Sequence, residues 1–126
     1  MPRFVVLEHD HPELHWDLML DTGEHLRTWR LLQPPATSQT IDAIALGDHR
    51  RVYLDYEGPV SGNRGNVRCW DRGTYAIESE TIDRIDFALE GSRYRGKAAL
   101  QQVSGEDWQF KLITESEDEA GMIPLE

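Results

Sequence analysis

The sequence has one cysteine, no long apolar run and no excess of basic residues. With Cys69 alone the chain forms no internal disulfide. Neither a signal peptide nor a membrane span is recognisable near the N-terminus. These absences predict a cytoplasmic protein that makes no contact with a membrane and folds without oxidation.

The charge balance argues against a further class of protein. The formal net charge is -10, whereas a simple nucleic-acid binder normally presents a basic surface to the phosphates. The acidity is uneven, because residues 115–126 hold five acidic residues and no basic one. We therefore predict a single domain over residues 1–114 and an acidic, disordered tail over residues 115–126.

Short alternating segments separated by glycines predict strands throughout the body. Residues 4–7 form an apolar run, residues 14–20 alternate, and a turn at 21–24 leads to a return strand at 26–32. Further strands are expected at 51–57, 66–71, 74–78, 84–89, 94–103 and 108–113, whereas 41–46 fits a strand or a helical turn. The pattern favours an all-β, mainly antiparallel fold: a small closed or nearly closed β-barrel with little helix.

Three histidines and four carboxylates lie within ten residues near the N-terminus. Imidazole and carboxylate groups are the usual protein ligands of Mn²⁺, Zn²⁺ and Fe²⁺. In an extended strand His15 and Asp17 point the same way, and His9 can reach the same ion from the preceding segment. His11 competes with His9, although the proline after it interrupts the strand. The alternative is an ordinary polar strand face exposed to solvent.

A second group of polar residues follows the predicted 41–46 segment. His49 and Tyr53 lie four residues apart, beside two arginines, and an imidazole and a phenol are both able to contact an anion. Each also has an ordinary alternative, since a loop histidine is often merely exposed and a tyrosine often packs in a core.

Taken in order, these motifs resemble a known family. The motifs are Phe4-Val5-Val6 before His9, His15-Trp16-Asp17, Asp48-His49 with Tyr53, Tyr56-Glu57-Gly58, and Trp70-Asp71-Arg72-Gly73-Thr74. Their order and spacing resemble the 3'-phosphoesterase domain at the N-terminus of bacterial DNA ligase D and its stand-alone single-domain relatives.

The resemblance implies a small β-barrel and a Mn²⁺-dependent phosphoesterase of DNA repair by non-homologous end joining. Such enzymes remove 3'-terminal ribonucleotides and 3'-phosphates from a primer strand. By resemblance, His9, His15 and Asp17 hold the metal, for which Zn²⁺, Co²⁺ and Fe²⁺ also suit the ligands, while His49 and Tyr53 contact the substrate phosphate. The implied partners are the 3' end of primer-template DNA and a separate ligase or polymerase.

Two departures from the family pattern concern arginines. The family usually has one arginine where this chain has Met19 and another near the position of Ile41. Neither side chain mimics the planar fork with which arginine binds phosphate. Arg50, Arg51 and Arg64 are candidate replacements in substrate binding. The departures motivate an alternative function, a catalytically weakened metal-binding barrel that binds nucleic-acid ends or a protein partner without turnover. A third function is a hydrolase or binding barrel for a small phosphorylated or carboxylated ligand.

Overall fold

The computed structural model describes residues 2–36 and 38–114. Its described residues form nine strands and one short 3-10 turn, Arg51–Leu54. The strands are β1 (Arg3–His9), β2 (His15–Asp21), β3 (Leu26–Leu31), β4 (Thr40–His49), β5 (Gly58–Pro59), β6 (Asn66–Thr81), β7 (Arg84–Gly91), β8 (Arg95–Ser104) and β9 (Asp107–Thr114).

The sheet closes on itself. Eight strands follow the order β1-β2-β3-β4-β9-β8-β7-β6, and β6 pairs back with β1, while the two-residue β5 pairs with the start of β6. All of these pairings are antiparallel. The prediction of an all-β, closed antiparallel fold is therefore confirmed. None of the described residues forms a helix with the length and apolarity that crossing a membrane requires.

Two apolar clusters lie on opposite faces of β1 and β2. The larger fills the ring and includes Phe4, Val6 and Leu18, together with residues of the other long strands. The smaller lies outside the ring and consists of Val5, Leu7, Met19, Leu26, Leu54 and Val67. Because residues alternate between the faces of a strand, every residue of β2 is buried on one side or the other. Polar residues on the outer face of β2 therefore lie beneath a cover.

The cover comes partly from the segment predicted as a strand at 51–57, and that prediction is wrong. The chain instead forms the 3-10 turn Arg51–Leu54. Leu54 packs into the outer cluster, whereas Val52 is 56% exposed. Ion pairs from Arg51 to Asp21 and from Arg3 to Asp55 connect the turn to β1 and β2. These side-chain contacts therefore stabilise a turn, although the alternating sequence of the segment is typical of a strand.

Two further segments differ from the sequence expectation. Residues 66–71 and 74–78 belong to one strand, β6, and the intervening Gly73 marks a close approach between strands. A Cβ at Gly73 would lie 1.9 Å from the carbonyl oxygen of Glu90 on β7. The undecided segment 41–46 is part of β4. The predicted acidic tail, 115–126, lies outside the described residues.

Candidate metal centre

His9, His15 and Asp17 come together on the outer face of the ring. His9 ends β1 and lies opposite His15 at the start of β2. Asp17 lies two residues further along β2 and therefore shares the face of His15. Their candidate ligand atoms all lie within 4.8 Å of one another. His15 and Asp17 are only 3% and 4% exposed, which excludes the alternative of a solvated strand face.

Hydrogen bonds orient both imidazoles towards Asp17. His15 donates from Nδ1 to the carbonyl oxygen of Glu13 at 2.8 Å, and His9 donates from Nε2 to that of Arg64 at 2.8 Å. A carbonyl only accepts, so these nitrogens carry the protons of the neutral rings. His15 Nε2 and His9 Nδ1 then face Asp17 Oδ2, at 3.2 Å and 3.8 Å. The two free nitrogens and the carboxylate therefore converge on one point.

The electrostatics of this point suit a cation. Burial by itself raises the pKa of Asp17, but the neighbouring imidazoles of His15 and His9 outweigh it, and the pKa lies below its ordinary value. The neighbouring carboxylate of Asp17 raises the pKa of His9, partly opposed by burial. Asp17 Oδ1 is buried and has no hydrogen-bond partner among the described residues. An unpaired carboxylate oxygen beside two inward-facing imidazole nitrogens fits a divalent metal ion, with the backbone carbonyls as the outer support that histidine ligands usually have.

The loop before β6 supports His9. The backbone amide of Asn66 donates to Asp10 Oδ1 at 2.8 Å, next to the carbonyl of Arg64 that accepts from His9. Gly65, between them, has a φ of +77°, and a Cβ there would lie 2.2 Å from Asp10 Oδ1 and 2.6 Å from the Cβ of His11. Only glycine allows so close an approach with this backbone.

Gly65→Ala is expected to weaken binding of Mn²⁺ by about tenfold, because displacing the loop removes the carbonyl that orients His9 and such outer support is typically worth 10- to 100-fold. Calorimetric titration with Mn²⁺ measures this. Gly105→Ala is the matched control, since Gly105 also has a positive φ of +57°, but an added Cβ there would have no atom of the described residues within 4 Å. Equal affinities in the two variants would contradict the role of the loop.

A cavity of about 370 Å³ adjoins two of the three residues, His9 and Asp17. It is lined by Leu7, His9, His11, Pro12, Asp17, Met19, Arg30, Leu46, His49, Tyr53, Val60, Arg64 and Val67. The structure thus brings His49 and Tyr53 to the same cavity as two of the candidate ligands, with 6.1 Å between the two ring centroids. His49 donates from Nδ1 to the carbonyl of Gly47 at 2.9 Å, which leaves Nε2 for another partner. His11 lines the cavity but lies outside the ligand cluster.

The three arginines expected to bind substrate lie in different settings. Arg51 donates from Nε and Nη2 to the two carboxylate oxygens of Asp21, each at 2.9 Å, and these bonds hold the pKa of Asp21 below its ordinary value. Arg64 borders the cavity, but its guanidinium donates to the carbonyl and hydroxyl of Ser61. Arg50 borders a neighbouring cavity of about 230 Å³.

One cavity residue, Arg30, is absent from the sequence expectation. It lies on β3 directly opposite Asp17 of β2, so both side chains are on the outer face. Its charge also helps to lower the pKa of Asp17, in addition to the two histidines and against the effect of burial. The signal in the sequence was the hairpin itself, because a loop at residues 22–25 pairs position 17 with position 30.

A family model supplies the comparison with known proteins. The model that matches, described as the DNA Ligase D 3'-phosphoesterase domain, covers residues 7–102 of the chain. The chain belongs to this family. The resemblance seen in the sequence motifs is therefore confirmed, and His9, His15, Asp17, His49 and Tyr53 all fall within the matched 3'-phosphoesterase region.

Several similar proteins align with most of the chain. The multifunctional non-homologous end joining protein LigD of Pseudomonas aeruginosa is 27% identical in an alignment 130 residues long that covers 94% of this chain. The LigD proteins of Mycobacterium bovis and Mycolicibacterium smegmatis are 30% and 29% identical in alignments 125 and 122 residues long that cover 92% and 84% of the chain. The chain spans 16% of the length of each of these relatives.

Proposed function

We propose that this chain is a Mn²⁺-dependent phosphoesterase that processes 3' ends of nucleic acid during DNA repair. The observation that carries the proposal is the meeting of a buried, cation-suited cluster with His49 and Tyr53 at one cavity. Membership of the 3'-phosphoesterase family supports the choice of substrate, a 3'-phosphate or a 3'-terminal ribonucleotide on primer-template DNA. Relatives named for non-homologous end joining support a separate ligase or polymerase as the next enzyme on the same end.

In this proposal His9, His15 and Asp17 hold the metal. When bound, Mn²⁺ supplies Lewis acidity to a phosphoryl oxygen. A cluster of two imidazole nitrogens and one carboxylate leaves coordination positions open, and Zn²⁺, Co²⁺ or Fe²⁺ would fit the same atoms. The choice of Mn²⁺ follows the family resemblance.

His49 and Tyr53 act on the phosphate. Donation from His49 Nδ1 to Gly47 keeps Nε2 available, and the protonated ring gives its Nε2 proton to the departing 3'-oxygen as water forms the new bond to phosphorus. The hydroxyl of Tyr53 donates a hydrogen bond to a phosphoryl oxygen. Tyr53 is positioned by the 3-10 turn, whose Leu54 is anchored in the outer cluster.

Purified protein is expected to convert a primer-template with a 3'-phosphate into one with a 3'-hydroxyl only when Mn²⁺ is present. His49→Ala should lower kcat by about 100-fold or more, the usual contribution of a positioned general acid. Gel analysis of labelled primers measures both. His25→Ala is the control, because His25 pairs with Asp48 and does not line the cavity. Absence of product at every pH, with His9→Ala indistinguishable from wild type, would refute the proposal.

Met19 favours a second candidate function, a metal-binding domain that holds nucleic-acid ends or a protein partner without turnover. It lines the cavity at the position where the family usually has an arginine, and Ile41, near the other such position, is buried inside the ring. Under this alternative, 3'-phosphorylated DNA binds with an affinity that falls as salt rises, yet no product forms with Mn²⁺. Mn²⁺-dependent turnover in the same assay excludes it.

A further inference from the structure

Arg30 is an arginine whose guanidinium forms no ion pair with the part of the chain that the structure describes. Its Nε atom is buried and has no hydrogen-bond acceptor among residues 2–36 and 38–114. Within the same residues no carboxylate forms an ion pair with it, although Asp17 lies directly opposite on β2. A buried donor without an acceptor costs free energy, so each such group in a folded protein calls for a physical explanation.

The position of Arg30 on the sheet places its side chain, with the unpaired donor, at the cavity. Arg30 lies on the outer face, between Asp17 on one neighbouring strand and Ile44 on the other. The Oδ2 atom of Asp17 is already engaged by His15 and His9. The side chain of Arg30 lines the cavity wall with His49 and Tyr53. An anion in this cavity would therefore have a positively charged wall next to the metal cluster.

Three other arginines near this face have partners within the protein. Arg51 binds Asp21 through two hydrogen bonds, Arg64 donates to Ser61, and Arg68 pairs with Glu8. Met19 offers no donor at the position where an arginine is usual in the family. Arg30 is thus the arginine at this cavity whose fork is open to an external oxyanion.

We propose that Arg30 binds the phosphoryl oxygens of the substrate. It thereby replaces the phosphate-binding arginines that the family usually has at the position of Met19 and near that of Ile41. The role rests on the proposed function, because it assumes a phosphoester substrate at this cavity. A planar guanidinium offers two parallel N–H donors to two oxygens of a tetrahedral anion, which gives both affinity and orientation. It does so from the strand next to the metal cluster, with no change in the fold.

The test compares the binding of inorganic phosphate to the full chain loaded with Mn²⁺, measured by calorimetry. Arg30→Gln is expected to weaken phosphate binding by about 10- to 100-fold, as loss of a charge-assisted pair of hydrogen bonds predicts. Arg30→Lys keeps the charge without the fork and should give an intermediate loss. Affinity for Mn²⁺ should stay within about threefold of wild type in both variants. Arg27→Gln is the control on the same strand, because Arg27 pairs with Glu80.

Two results would overturn the proposal. Equal phosphate affinity in wild type and Arg30→Gln would show that Arg30 does not contact the anion. A parallel loss of Mn²⁺ and phosphate affinity would make Arg30 a positioning residue for Asp17. Both readouts are independent of turnover, so phosphate binding that depends on Arg30 in a protein inactive on 3'-phosphate ends would contradict the proposed function alone.

Discussion

Asp17→Asn is expected to lower the affinity of the protein for Mn²⁺ by more than about 100-fold. Loss of an outer support of a metal ligand already costs 10- to 100-fold, and this substitution removes the charged ligand itself. The amide has one oxygen in place of two, and its NH₂ group would face the imidazole nitrogens of His15 or His9. The site would then have two neutral ligands and no negative charge to offset that of the ion. Calorimetric titration with Mn²⁺ measures the effect directly.

Thermal unfolding provides a second readout of the Asp17 substitution. A ligand at 100 times its dissociation constant stabilises the folded state by about 2.7 kcal/mol. Wild type should therefore melt at a higher temperature with Mn²⁺ than without it, and Asp17→Asn should show no such shift. Asp107→Asn, at an exposed position of β9, is the matched control and should keep the full shift. A metal-dependent shift in Asp17→Asn equal to that of wild type would exclude this cluster as the metal centre.

The three residues of the metal cluster could be predicted from the sequence because the alternation of side chains along a strand is a local property. Two residues that are two positions apart on a strand share a face, so His15 and Asp17 follow from alternation alone. The bend after β1 returns the chain antiparallel, which brings His9 opposite His15. The burial of the cluster could not be predicted from the sequence. It depends on the 3-10 turn and on the loop at residue 65, whose contacts join residues more than fifty positions apart.

Arg30 was missed because its pairing with Asp17 depends on where one hairpin loop begins and ends. The sequence suggested a turn at residues 21–24, whereas the strands pair from Asp21 with Leu26 and leave residues 22–25 as the loop. A four-residue turn at 21–24 would pair Asp17 with Thr28, so moving the loop by one position moves the partner of Asp17 by two positions, to Arg30. Turn residues such as Gly23 mark a turn without specifying its ends. Register therefore required the packing of Trp29 and Leu31 into the ring.

Gly73 shows a similar ambiguity in the long strand β6. A glycine within an apolar pattern indicates either a turn or a close approach of backbones. At Gly73 the second applies, since the carbonyl of Glu90 occupies the space of a side chain. Local sequence does not distinguish the two, because the neighbour belongs to another strand. The sequence therefore predicted the correct fold class but divided the single strand β6 into two.

The other large expected effect concerns the family motif that contains Asp71. This carboxylate is 3% exposed and lies on β6, away from the metal cavity. Its Oδ1 accepts from the backbone amides of Ser92 and Arg93, each at 2.9 Å, and its Oδ2 accepts from that of Tyr94 at 2.9 Å. The three amides belong to the turn between β7 and β8. Asp71 therefore stabilises the fold by holding this turn against β6.

Asp71→Ala is expected to lower the free energy of unfolding by about 3 kcal/mol or more, because three backbone donors lose an ionised acceptor and the most buried of them, that of Tyr94, is left without a partner. For a domain of this size the melting temperature should fall by about 10 °C or more. Chemical denaturation and thermal melting measure both. Asp86→Ala, which removes an exposed carboxylate paired with Arg84, is the control and should leave the midpoint almost unchanged. Well below its transition, Asp71→Ala should bind Mn²⁺ like wild type; a loss of metal affinity at unchanged stability would instead assign Asp71 to the functional site.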